Sequence, residues 1–324
     1  MKQLEISEAK SRAKFPAMRK AGTGNPLAVV GTVAIDAVRT PFGYRDRVFG
    51  GSASYFSYAS SFFTPVSLIA VVGTDFPDEY RKILSERPID LSHLEVLEGK
   101  TFSWKGEYQS DLNTANTLDT QLNVLTRFNP QVKFEVAPAY VFLANIDPSL
   151  QLSVLDQLEK PRLKFVACDS MNFWIQNKRS ELIKVLGRVD CFVLNEGEAR
   201  ELTQEPNLFR AAQKIRSLGP QMIVIKKGEH GVILFYEHQF FVLPAYPLEE
   251  VFDPTGAGDS FAGALMGYLT QADEISFNTM KRAVAYGSVT ASFTVEDFGL
   301  ESLRRIGRDD IEKRLQTFKK LCSL

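Results

Sequence analysis

From Leu27 onward the chain repeats one unit, a short run of apolar residues that stops at a polar residue or a glycine and gives way to a helical stretch. Such runs occur in "LAVVGTVAID" (27–36), "VSLIAVVG" (66–73), "AYVFLA" (139–144), "LKFVACD" (163–169), "DCFVLN" (190–195) and "MIVIKKG" (222–228). An apolar run without polar alternation reads as a strand buried on both faces. Strands separated by helices form a parallel sheet covered on both sides. Helices are expected over 50–63 and 76–87, among other segments. Ligands of open α/β sheets gather at the carboxyl ends of strands, so Asp36, Asp169, Asn195 and Gly228 are expected on one rim.

Two stretches interrupt the alternation. "AVRTPFGYRDRVFG" (37–50) carries turn residues and no helical period, and "TFSWKGEYQ" (101–109) sets Phe102, Trp104 and Tyr108 against Thr101, Ser103, Lys105 and Glu107. The pattern predicts a small β layer with one apolar face, which serves either as a lid over the rim or as an edge hairpin. With no internal repeat or linker, the expectation is one main domain, residues 27–324, with lid segments near 37–49 and 100–125. A basic tail spans 1–26. It has no apolar core of the signal-peptide kind, which leaves a loosely docked tail or an organelle address.

The 38 basic and 39 acidic residues leave a formal net charge of −1, so no global field favours nucleic acid or an anionic membrane. No apolar stretch approaches the roughly 18 residues of a membrane span. Cys168, Cys191 and Cys322 lie far apart, without the spacing of a zinc site or disulfide framework; a reducing cytoplasm is expected. Three motif fragments can be set aside. "GKT" at 99–101 lacks the upstream glycine of a phosphate loop, the three histidines have no metal-protease spacing, and "GTG" at 22–24 precedes a strand instead of following one.

The most informative segment is "DPTGAGDSFAGALMGYL" (253–269). Phe261, Ala264, Leu265, Tyr268 and Leu269 follow a helical period, so a helix starts within the glycines. A helix N-terminus presents unpaired N–H groups and partial positive charge, and glycines let an anion approach closely. Asp259 thus stands beside an anion cradle. DPTGAGD resembles the signature of the ribokinase-like (PfkB) carbohydrate and nucleoside kinases. The resemblance covers roughly residues 27–315 and implies a three-layer αβα sandwich with a mostly parallel central sheet and a small β-sheet lid. It makes Asp259 the base that deprotonates the acceptor hydroxyl and Gly256, Ala257 and Gly258 the anion hole, with Thr255 beside the nucleotide. Phosphoryl transfer needs mainly alignment and charge stabilisation, which these groups supply.

The same resemblance assigns Asn195 and Glu198 of "VLNEGEARELT" (193–203) to an N-x-x-E segment, with Glu198 placing Mg2+ through water. Read alone, those acids only complement a helix dipole. In "IKKGEHGVILF" (225–235) it puts Gly228 and Gly231 by ATP and Lys226 or Lys227 near its phosphates, although a plain hairpin has the same pattern. Gly287, with Ala283 and Ala285, is assigned either to the adenine pocket or to helix packing. On the acceptor side the resemblance selects Asp36 and the Gly50-Gly51 turn. The sequence departs from common sugar kinases at Tyr55, where many have Asn, and at Asp169-Ser170-Met171-Asn172, where many have D-x-N. Tyr55 is expected to cover the flat face of a sugar, cyclitol or base. The resemblance further implies K+ near Val251–Asp253 and a homodimer through the lid. The function expected is transfer of the ATP γ-phosphate to a hydroxyl of a small sugar or polyol. The alternatives are a nucleoside kinase of the same family and an idle module that binds nucleotide or sugar.

Overall fold

A computed structural model describes residues 26–110, 112–158 and 162–323; the tail over 1–26 lies outside this range except for Pro26. The strands are β1 (Leu27–Val30), β2 (Ala34–Thr40), β3 (Gly43–Gly50), β4 (Val66–Gly73), β5 (Ile89–Asp90), β6 (Leu94–Leu97), β7 (Ser103–Tyr108), β8 (Ala115–Gln121), β9 (Tyr140–Leu143), β10 (Phe165–Cys168), β11 (Cys191–Asn195), β12 (Met222–Lys226), β13 (Val232–Tyr236) and β14 (Gln239–Leu243). The helices are α1 (Ser52–Ser60), α2 (Asp78–Ser85), α3 (Pro148–Gln157), α4 (Asn172–Asn177), α5 (Arg179–Leu186), α6 (Glu196–Thr203), α7 (Leu208–Arg216), α8 (Ala257–Ala272), α9 (Phe277–Thr294), α10 (Glu301–Arg304) and α11 (Arg308–Leu321).

The main sheet runs β14-β13-β12-β11-β10-β9-β1-β4-β5, with β6 also on β4. Pairings from β12 through β4 are parallel, and β13 and β14 add antiparallel hairpins at one edge. Side chains alternate between two cores, as the period of two in a strand requires. Leu68, Ala70 and Val72 of β4 face the layer of α1, α8 and α9, while Ile69 and Val71 face that of α3, α5, α6 and α7. This is the three-layer arrangement expected from uninterrupted apolar runs between helices.

The segment read as one strand, 27–36, is two. β1 belongs to the main sheet, and β2 belongs to a separate four-stranded sheet in the order β3-β2-β7-β8. Gly31 to Val33 carry the chain between them, with the Thr32 N–H and hydroxyl bonded to Ser52 at the head of α1. Asp36 therefore lies in the small sheet and not at the end of a main-sheet strand. The two interrupted stretches build that small layer together, β3 and most of β2 from the first and β7 from the second, with β8 following β7 and with β2 and β7 parallel.

Candidate active site

Helix α8 begins at Gly256, whose φ of +76° lies in the left-handed region that favours glycine. A Cβ there would fall 2.4 Å from the ring of Tyr55, so a side chain is refused on both conformational and steric grounds. No side chain caps the helix. The Ala257 N–H turns back to the Pro254 carbonyl at 3.2 Å, so the expected trio of anion-hole amides is not uniform. Among the described residues, the N–H groups of Gly258 and Asp259 meet no protein acceptor. Ala257 and Gly258 form part of the wall of a cavity of about 840 Å³. An unpaired first-turn amide in a cavity wall, as at Gly258, has the charge and geometry that suit an anion.

Asp259, one residue further, is partly buried, and desolvation raises its pKa while the Lys226 ammonium opposes the rise. Lys226 ends β12 and reaches the start of α8; a Cβ on Gly258 would lie 2.5 Å from its Nζ. The lysine also lines the cavity. Lys227 instead serves the hairpin, its N–H donating to the Gly231 carbonyl at 2.7 Å. Gly228 and Gly231, with φ of +55° and +89°, shape that turn at the cavity edge. Thus the segment is both a β12–β13 hairpin and a wall of the cavity.

Two further carboxyl groups converge on Lys226. Asp169, just past β10, is raised by burial first and then by Asp259, with Lys226 pulling the other way. Its Oδ1 is buried without a partner. Glu198 is also raised by burial, again opposed by Lys226. It forms a capping box on α6: the Asn195 N–H donates to Glu198 Oε2, and the Glu198 N–H donates to Asn195 Oδ1, each at 2.8 Å. Asn195 is thereby committed to the helix end, and Glu198 retains one oxygen for other partners.

On the acceptor side, Asp36 is 5% exposed. Burial is the main cause that lifts its pKa to about 7; the Trp104 N–H, donating to Oδ1 at 3.1 Å, works against it, and Asp253 and Asp259 add to it. Gly50 makes room for this carboxyl, because a Cβ there would lie 1.9 Å from Oδ2. Gly51, with φ of +97°, precedes α1 and passes close to the Thr32 carbonyl. The structure therefore groups Asp36 and Asp259 electrostatically on one side, and Asp169, Glu198, Lys226 and Asp259 on the other.

Two expected positions land elsewhere, and Gly287 takes the second of its two expected roles, helix packing. Tyr55 is 1% exposed and lies beneath Gly256, so it supports the glycine loop and does not face open acceptor space. Asn172 is exposed at the start of α4, where its Nδ2 donates to Glu201 on α6 and not toward Asp36. Gly287 packs on α8, since a Cβ would lie 2.9 Å from the Phe261 ring; the neighbouring α9 positions Ser288, Ala291 and Ser292 face the cavity instead. A helix repeats every 3.6 residues, so a one-position change in phase moves a residue from cavity to helix interface.

Sequence reasoning left two residues of the site without a role there. Asp253 is fully buried and braces the glycine loop: Oδ1 accepts from the Thr255 N–H at 2.9 Å and Oδ2 from the Gly299 N–H at 3.4 Å. Its place at the head of DPTGAGD was the available signal, since Asp commonly bonds a backbone N–H two residues on. Tyr108 of β7 reaches the same loop, accepting a hydrogen bond from Thr255 Oγ1 at 3.3 Å. The apolar alternation of β7 marked Tyr108 as facing inward but could not name its partner.

Residues 27–304 match the pfkB family carbohydrate kinases. The chain is 32% identical to a cytidine kinase of Thermococcus kodakarensis, over 75% of its own length and 88% of that protein's. Among solved structures, it resembles a nucleoside kinase of Burkholderia thailandensis in complex with inosine, with TM-score 0.75 and 18% identity over 90% of this chain and 98% of that one. It also resembles a putative ribokinase II of E. coli in complex with ATP and Mg2+, with TM-score 0.73 and 19% identity over 90% and 99% of the two chains. These structural likenesses show the ribokinase fold, in agreement with the layered sheet and separate small sheet. The chain belongs to the pfkB family of carbohydrate kinases, phosphotransferases that take a hydroxyl group as acceptor.

Proposed function

We propose that this kinase transfers the γ-phosphate of ATP to a ribose hydroxyl of a nucleoside, with Asp259 as the base. The observation that carries the reading is the coincidence, on one helical turn, of the partly buried Asp259 carboxyl and an unpaired Gly258 amide in the wall of the large cavity. The acceptor hydroxyl would give its proton to Asp259 as its oxygen bonds to phosphorus, and the bond from phosphorus to ADP breaks. The amides and the α8 dipole hold the charge of the moving group. Lys226 supplies a cation beside that position and favours the ionised form of Asp259 against desolvation.

The residues fit magnesium nucleotide. Asp169, Glu198 and Asp259 outnumber the one lysine among them, and Asp169 Oδ1 has no partner. Among the described residues no three acids, histidines or cysteines form a direct metal cluster. Magnesium, which retains waters and needs few protein carboxylates, would therefore be placed by Glu198 through water, and bound there it neutralises phosphate charge. K+ near Val251–Asp253 and pairing of two copies through the lid belong to the same reading. Leu118 of the outer strand β8 and Leu122 just after it, 50% and 44% exposed, support the pairing.

The likeness to a cytidine kinase along three quarters of the chain favours a nucleoside over a free sugar. A free sugar would use the same Asp36 and Asp259, so acceptor identity is the distinguishing observation. ADP release should be measured across pyrimidine and purine nucleosides, pentoses, hexoses and cyclitols. The expected result is a kcat/KM at least tenfold higher for one nucleoside class. Preference for a free sugar would return the assignment to a sugar kinase, and no release with any acceptor would favour the idle binding module.

A further inference from the structure

Strand β7 touches the acceptor carboxyl at one end and the glycine loop at the other. The Trp104 N–H donates to Asp36 Oδ1, and four residues on, about 13 Å along a strand, the Tyr108 hydroxyl accepts from Thr255 Oγ1. Thr255 is also held through its N–H by Asp253. The Trp104 indole lies on Gly106, where a Cβ would fall 2.0 Å away, and its Nε1 donates to Thr117 Oγ1 of β8 at 3.0 Å. The strand between the two contacts is therefore stiffened from within its own sheet. A second tie lies beyond it: Asn113 Nδ2 donates to Glu229 Oε1 of the β12–β13 turn at 3.2 Å. The small sheet thus bridges from Asp36 to both nucleotide-side elements.

We propose that Tyr108 is a positioning residue: seating β7 over Asp36 brings its hydroxyl to Thr255 and sets the 253–258 loop for transfer. The inference rests on the reading of Asp259 as base. It couples acceptor binding, sensed at Asp36, to the arrangement of the amides that receive the phosphoryl group. Acceptor bound at Asp36 reinforces the seat of β7, so transfer to the alcohol depends on the Tyr108 contact more than hydrolysis by water does. Burial first, and then the surrounding carboxylates, raise the Tyr108 phenol above its ordinary range. The hydroxyl stays protonated at working pH.

The test is a double-mutant cycle in the full chain, using Tyr108→Phe and Thr255→Val, with Thr255→Ser and Asp259→Asn alongside. In either single variant the loss of one hydrogen bond should lower kcat for the acceptor about 2–10-fold; in Tyr108→Phe, KM for ATP should stay within about twofold and acceptor-independent ATP hydrolysis should be unchanged. The ratio of hydrolysis to transfer then rises by the same factor, which a general packing defect would not produce. The double variant should be no worse than the poorer single, and Thr255→Ser should restore turnover. Wild-type kcat in Tyr108→Phe, or losses that multiply in the double variant, would overturn the proposal. Thr255→Val probes the contact from the loop side if Tyr108→Phe fails to fold. Near-normal turnover in Asp259→Asn would remove the base assignment while the cycle still reports on the coupling.

Discussion

Strands β1, β4, β9 and β10 are buried along their whole length, whereas β8 is exposed along all seven residues and β3 from Tyr44 to Arg47. The main sheet is gripped by helices on both faces; in the small sheet β2 is largely buried and Phe49 of β3 packs into the main core, while the exposed strand β8 is held largely by its hydrogen-bond ladder. Each such hydrogen bond contributes about 0.5–1.5 kcal/mol, against roughly 1.5–3 kcal/mol for each large apolar side chain buried in the main core. Regions with few buried contacts open at low free-energy cost. The division of labour follows. Under the proposed function, Asp169, Glu198, Lys226 and Asp259 come from the main frame, and Asp36, Tyr108 and Asn113 come from the small sheet and its connecting turn.

The contrast predicts that damage to the frame costs chemistry and damage to the small sheet costs capture. The largest effect is expected from Asp259→Asn: turnover should fall about 10²–10⁴-fold, the worth of a positioned base, while ATP affinity measured by calorimetry stays within severalfold. A small loss would mean that the base comes from the small sheet and would break the comparison.

Asp36 should give the next largest effect, and its effect depends on pH. Its ionised carboxylate accepts hydrogen bonds from acceptor hydroxyls, and its pKa is raised to about 7. Acceptor kcat/KM should therefore rise as pH climbs through about 7. Asp36→Asn should abolish that rise and raise acceptor KM about 10–100-fold, from the worth of a hydrogen bond to a charged group. The stability linkage has the opposite sign. Because the folded pKa exceeds the unfolded one, the contribution of protonated Asp36 is complete below about 3.8 and is lost as pH rises through about 7. Urea unfolding at several pH values between 4 and 8 should show a shallower decline for the Asn variant.

The smallest effect belongs to the tip of the small sheet. Asn113→Ala removes the bond to Glu229 and should raise KM for ATP about 2–10-fold, with kcat within about twofold in steady-state assays. A large fall in kcat would show that the tip takes part in chemistry and would sharpen the boundary between the two regions.

Local patterning made β4 legible over its full span, 66–73, because an apolar run between turn signals has one physical use in a folded sheet. The same pattern misled at 27–36, where apolar residues continue across a change of sheet. Burial alone does not say which sheet buries a strand. The glycines and acid of 253–259 predicted a helix start with a free N-terminus, since those features are local properties of backbone and dipole. Tyr55, Asn172 and Gly287 were harder. Their neighbours Gly256, Glu201 and Phe261 are distant in sequence, so only packing decides whether each faces a ligand, a helix or solvent.

By itself, then, the sequence determined the layered α/β class, the strand-helix rhythm and the helix that starts at the glycine loop, because periodicity, φ preference and helix dipole act over a few residues. Tertiary structure alone decided that Asp36 belongs to the small sheet, that Lys226 stands among three carboxyl groups, and that Tyr108 meets Thr255. Those facts depend on strand order and on contacts between segments up to 147 residues apart, and no local pattern encodes such a distance.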